Sequence, residues 1–335
     1  MRELDRALVE AVRDLQGPPT AAERLWAGGR LMALLLVLGA AARVYWLRPL
    51  DPPGVAVLLL AGVAYALVLI ATHEMVHGTW LGWRSLEFAL GCLLGWPMAW
   101  PFATYGRLHR LHHRWNGLDP RDPERTQTLP EDPPPPTPLH GWVERHPFAV
   151  RCLLLGGVGL IVDTVWKGWR LRGVDRRLNR ARLLDGAGVI LLHAGLLAMA
   201  IQRGVLLRYV LFWLVLERVI GCVVQYRGLV EHHGLWPDEA DAAHALPQRL
   251  RQLASTRDVA CGAWLHALMG GLPHHSAHHA FPWVPTARLP EASARLQAVL
   301  RERGWPLPCR VQGYGEGIQV LCGERRRSPA MDGSG

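Results

Sequence analysis

The chain of 335 residues suits either two soluble domains or one polytopic membrane unit, and a hydrophobic share of 50% with a positive mean hydropathy points to the second. Its formal net charge of +9 admits two anionic partners, nucleic acid or a membrane face. No stacking aromatics or recognition motif accompany the basic residues, which argues against nucleic acid, and none of the six cysteines forms a CxxC pair, which argues against a fused rubredoxin or iron–sulfur module.

From the N-terminus, Met1–Arg6 carries acidic residues and no short apolar core, so no secretory signal is expected. Leu4, Leu8, Val9, Val12 and Leu15 recur at helical spacing among charges, which predicts a short amphipathic helix lying on a surface, ended by Gly17-Pro18-Pro19. Leu31–Leu47 and Val55–Thr72 are apolar segments separated by a turn-like stretch from Arg48 to Gly54, and they predict a membrane hairpin. Arg13, Arg24 and Arg30 precede the hairpin and place the N-terminus inside, so His73 returns to the cytoplasmic side. Leu86–Tyr105, broken by Pro97 and Pro101, suits an in-plane or re-entrant segment, with Trp80, Trp83, Trp96 and Trp100 lining a tunnel or forming an aromatic belt. The proline-rich tract Asp119–Pro138 predicts a cytoplasmic loop, and Val150–Trp166 an interfacial segment.

A basic run follows, with Lys167, Arg170, Arg172, Arg176, Arg177, Arg180 and Arg182 directly before the apolar stretch Leu183–Ile201, as expected of a positive-inside flank. Leu183–Ile201 and Val205–Val224 predict a second hairpin, in which Glu217 and Arg218 are expected to pair, since isolated charges in lipid are costly. Beyond Arg227 the chain is soluble in character, with a helix over Pro290–Gly304 and a polar tail, Glu324–Gly335. The expected architecture is all-α and polytopic. It divides into an N-terminal cytoplasmic or interfacial segment over 1–30, a membrane catalytic region over 31–290 and a cytoplasmic C-terminal part over 291–335.

The histidines carry the chemistry. His73 and His77 form HxxxH; His109, His112 and His113 form HxxHH; His275, His278 and His279 form a second HxxHH. Positions i, i+3 and i+4 share one helix face, so each group presents its imidazoles toward a common point. Eight imidazoles exceed the needs of one tetrahedral zinc, and nitrogen donors suit iron, so two irons divide them naturally. His232 would supply a ninth, while His233 reads as an outer or surface residue and His274 as a doubtful ligand. Glu74, Glu231 and Arg227 are the expected neighbours that orient the ligands. His140, His146, His193, His244 and His266 read as ordinary loop, core or surface residues.

The order of these groups, with Arg227-x-x-x-Glu231-His232, Asp119-Pro120 after the second box and Phe281-Pro282-Trp283-Val284-Pro285 after the third, resembles the membrane fatty acid desaturase superfamily over roughly residues 55–300. The resemblance implies four transmembrane helices beneath a cytoplasmic cap bearing the boxes, a di-iron centre, O2 as oxidant and an acyl chain as substrate. It also implies an external electron donor of ferredoxin or cytochrome b5 type. Similar proteins often carry Asn two residues before the third box; Pro273 stands here and offers no side-chain ligand, leaving His274 as the candidate replacement.

Carotenoid ketolases or hydroxylases and alkane hydroxylases share such boxes. His73-Glu74-x-x-His77 is also a literal HExxH, in which Glu74 would be the base of a zinc protease, though that leaves two HxxHH groups without a purpose. A transporter or scaffold would make the histidines dispensable. The acyl carrier, the carbon attacked, the electron donor and the oligomeric state stay open.

Overall fold

The computed structural model describes residues 1–48, 51–127, 142, 146, 148–236 and 246–322. Most of the proline-rich tract, His140, His244 and the polar tail lie outside them. The chain forms two compact units, one of Thr20–Arg110 and Ala149–Tyr226, the other of Met1–Pro19, Leu111–Phe148 and Arg227–Gly335.

The first unit is built of long helices. Helix α2 (Ala21–Leu47) starts at a capping box, in which the Glu23 amide donates to the Thr20 hydroxyl at 3.3 Å and the Thr20 amide to the Glu23 carboxylate at 2.7 Å. Helix α3 (Pro52–His77) starts where Asp51 accepts from the Gly54 amide at 2.9 Å, with prolines in its first turn, and stops at Gly78, whose φ of 70° the missing side chain permits. Pro52 to Gly54, expected in the connecting turn, are therefore already helical. At about 1.5 Å per residue, both helices reach about 40 Å, ample for a bilayer core.

A short α4 (Arg84–Gly95) and a 3-10 turn at Trp96–Met98 lead to α5 (Phe102–Trp115). With 12 residues, α4 is too short to cross a bilayer, in keeping with an in-plane or re-entrant segment. A π-helical stretch, Phe148–Leu155, then runs into α6 (Gly156–Arg170), followed by α7 (Arg177–Gln202) and α8 (Leu206–His232).

Among the described residues, four helical stretches are long and apolar enough to cross a membrane: α2, α3, Phe148–Arg170 and α7. Two sequence expectations shift here. Val150–Trp166, expected to be interfacial, is the heart of a 23-residue stretch of spanning length. Conversely α8, expected to complete the second hairpin, is not among the four.

Charges within α8 have local work. Gly156, at φ 56°, breaks the Phe148–Arg170 stretch and orphans backbone groups on both sides. Arg218 donates to the carbonyls of Leu153 and Leu154 at 3.0 and 2.7 Å, while buried Glu217 accepts from the amides of Gly157 and Val158 at 3.0 and 3.1 Å. The two also approach each other at 3.2 Å, so the expected ion pair is present and splices a broken helix besides. Close packing allows it: a Cβ on Gly221 would lie 1.8 Å from the Gly157 nitrogen.

The second unit holds α1 (Arg2–Ala11), α9 (Gln248–Ala254), α10 (Ala263–Leu268), α11 (His275–Ala280), α12 (Leu289–Glu302), α13 (Tyr314–Leu321) and two parallel three-residue strands, β1 (Arg257–Val259) and β2 (Cys309–Val311). The apolar stripe of α1 is not laid on a surface. Leu4, Leu8, Val12 and Leu15 join Leu289, Leu296 and Leu300 of α12 in one core, locked by Arg295 to Asp14 at 2.7 Å and Arg249 to Asp5 at 3.1 Å. Amphipathic periodicity reports an apolar face and not what covers it. Phe281 and Val284, from the tail of the third box, belong to the same core.

Candidate metal centre

In the first unit, α3 ends on His73 and His77, one turn apart, and α5 presents His109 to them. All three are buried, with ring centroids 4.5 to 5.2 Å apart and ligand atoms within 4.8 Å of one another. Two features hold α5 in place. Buried Asp185 of α7 caps its N-terminus, accepting from the amides of Ala103 and Thr104 at 3.2 and 2.7 Å and from the Trp96 indole at 3.0 Å. Arg110 donates to the Val76 carbonyl at 3.0 Å, tying α5 to the last turn of α3. Glu74, on the same turn, forms a buried ion pair with Arg30 of α2. Arg30, expected as a flanking charge, thus sits inside the helix bundle.

In the second unit, His112 and His113 of α5, His232 of α8 and the three histidines of α11 form a continuous set. His112, His232 and His279 have ligand atoms within 4.8 Å of one another, as do Glu231, His232 and His275. His113 lies 4.9 Å from His278 and 4.1 Å from His279 between ring centroids. The rings are aimed by their other nitrogens. His112 Nδ1 meets Asp122 at 2.9 Å, and His279 Nδ1 donates to Gln252 Oε1 at 2.8 Å. Gln252 is itself fixed, donating to the His113 carbonyl at 3.0 Å and accepting from the Asn116 side-chain Nδ2 at 3.2 Å. Arg227 holds Glu231 at 2.8 Å, and the other Glu231 oxygen lies 3.4 Å from His275 Nε2.

This set fits a cation. Nε2 of His279 and Nδ1 of His275 are buried without a hydrogen-bond partner among the described residues, and an orphaned buried nitrogen is costly unless something accepts its lone pair. Burial, then the neighbouring His113 for His279 and His232 for His275, holds both rings well below the usual histidine range, so they are neutral donors.

Other expectations resolve as follows. His233 bonds Thr126 at 3.3 Å and stays outside the grouped ligand atoms. His274 faces His266, centroids 5.0 Å apart, and burial followed by the His266 charge pushes it down to about 4. His193 bridges Tyr209 Oη and the Trp96 carbonyl at 2.9 and 3.1 Å, and His146 bonds the Trp142 carbonyl. Trp80 and Trp100 are core residues, Trp96 packs beside them, and Trp83 is exposed under Arg24. Asp122, Gln252, Asn116 and Asp185 carry no spacing signal toward the histidines, so the sequence alone does not single them out.

An all-α polytopic membrane protein with clustered imidazoles able to hold metal is therefore defined by fold and site together. A family model described as "Fatty acid desaturase" matches residues 50–310, and the chain belongs to that family, whose members are oxidoreductases. A stretch of 109 residues is 27% identical to the Delta 8-(E)-sphingolipid desaturase of Candida albicans (strain SC5314 / ATCC MYA-2876), covering 32% of this chain and 18% of that relative.

Proposed function

We propose that the protein is a di-iron acyl-chain desaturase. The observation that carries this is the buried set of boxed histidines, in which Nδ1 of His112 meets Asp122, Nδ1 of His279 donates to Gln252, and Nε2 of His279 and Nδ1 of His275 have no hydrogen-bond partner among the described residues. His73, His77, His109, His112, His113, His232, His275, His278 and His279 would hold two irons, with Glu231 beside His232 and His275 held by Arg227. Bound iron supplies the oxidising power toward an unactivated C–H bond that no side chain has. In net terms, two vicinal C–H bonds of the chain, O2, two electrons and two protons become a C=C bond and two waters. The chain's own residues bind and orient the donors and keep water from the centre. The electrons come from an external donor of ferredoxin or cytochrome b5 type, and the Lys167–Arg182 run supports a cytoplasmic site. The acyl chain of a membrane lipid is the substrate class; the sphingolipid desaturase supports a lipid-borne chain.

A hydroxylase or ketolase acting on carotenoids or alkanes shares the boxes and is the second reading. The protease reading leaves the two HxxHH groups without a purpose, and its would-be base, Glu74, is ion-paired with Arg30. The test is gas chromatography and mass spectrometry of total lipids from a host expressing the protein with a compatible donor, beside His278→Ala and His279→Ala. A new double bond in acyl chains, lost in the variants, is expected; oxygenated carotenoids or alcohols with unchanged acyl chains would replace this reading by the second.

A further inference from the structure

Strand β1 is three residues long, yet each residue holds a different part of the ligand set. Helix α8 ends on His232 with carbonyls that have no partner further along the helix. Arg257, 6% exposed, donates to the Val230 carbonyl and, at 3.2 Å, to the His233 carbonyl, so its cation sits at the negative end of that helix. Next along the strand, Asp258, 4% exposed, accepts from the Ser276 amide and hydroxyl, both at 2.8 Å, at the positive end of α11. Val259 donates its amide to the Pro273 carbonyl at 2.9 Å, fixing the segment that enters the third box. Successive strand side chains point to opposite faces, so Arg257 and Asp258 reach in opposite directions.

The strand is itself braced. Asp258 is in register with Arg310 of β2, and the Ala260 amide donates to the Val311 carbonyl at 2.8 Å. Among the described residues neither charge is shown bonded to an imidazole, and both are buried where an unpaired charge is strongly unfavourable. Their arrangement has a purpose beyond core packing because the two helix ends they grip carry His232 on one side and His275, His278 and His279 on the other.

We propose that Arg257 and Asp258 are positioning residues, a two-headed brace that sets the separation of His232 from the histidines of α11. The inference rests on those histidines being metal ligands. It also shows how this chain orders the approach to its third box with Pro273 there: the backbone carbonyl, gripped by Val259, takes the hydrogen bond.

The test is a Co(II) titration of detergent-solubilised, metal-free, full-length protein, read by d–d absorption, with thermal unfolding of the same samples. Wild type and His279→Ala define the site. Asp258→Ala and Arg257→Met are expected to weaken Co(II) binding about 10- to 100-fold, as loss of outer partners of ligands does. Asp258→Asn, which keeps an acceptor for Ser276, and Arg257→Lys should fall between and guard against variants that do not fold. A fall in thermal stability with unchanged Co(II) affinity in the folded fraction would reduce the brace to ordinary packing and overturn the proposal. Absence of Co(II) binding by wild type would overturn the metal reading and this inference with it.

Discussion

An imidazole binds a cation through one nitrogen, so the partner of its other nitrogen decides where the ring points. For His279 that partner is Gln252, and Gln252→Leu should lower metal retained on purification, at an affinity cost of about 10- to 100-fold, whereas Gln252→Glu, which keeps an acceptor, should retain most of it. Metal analysis of the purified proteins checks this. The Arg30–Glu74 pair gives a stability prediction. Arg30→Met leaves Glu74 buried without its cation and should cost about 3–5 kcal/mol, while Arg30→Met with Glu74→Leu should recover most of that loss, measured by thermal unfolding in detergent. The histidine boxes were legible because i, i+3 and i+4 repeats are a local signal. Gln252 lies 27 residues from His279, and Arg30 lies 44 from Glu74, so no periodicity could join them.

At the scale of elements, one device is used twice: adjacent residues of opposite charge serve opposite ends of helices. Arg257 and Asp258 do so from a strand, Glu217 and Arg218 from within α8 across the break at Gly156. In the second case the charges within α8 complete the hydrogen bonding of the Phe148–Arg170 stretch, whose spanning length the sequence reading cut short. Gly221→Ala should therefore fail, because its Cβ would meet the Gly157 nitrogen at 1.8 Å, whereas Gly195→Ala, which meets nothing within 4 Å, should be tolerated. Yield of monodisperse protein after size exclusion separates the two. The long apolar helices were legible from composition; the docking of α1 on α12 was not, because a periodic stripe does not name its partner.

For the whole molecule, the Lys/Arg bias sets a sidedness that can be measured. Cys322 is exposed, and a membrane-impermeant maleimide should label it in inverted vesicles and spare it in intact cells, with Cys322→Ser as control. Labelling of intact cells instead would move the site to the opposite face.

The joining of α1 to α12 also sets a clock on biogenesis. Arg295 grips Asp14 across 281 residues of chain. At a synthesis rate of about 5–20 residues per second, α1 waits on the order of tens of seconds for its partner. Through that interval its leucines lack the core they share with α12, and the boundary between headgroups and acyl chains is the surface that suits an amphipathic helix. The third histidine box, His275, His278 and His279, emerges just before α12 itself. Closure of this unit is thus a late event, and a chain cut short before residue 289 would lack the helix on which α1 packs.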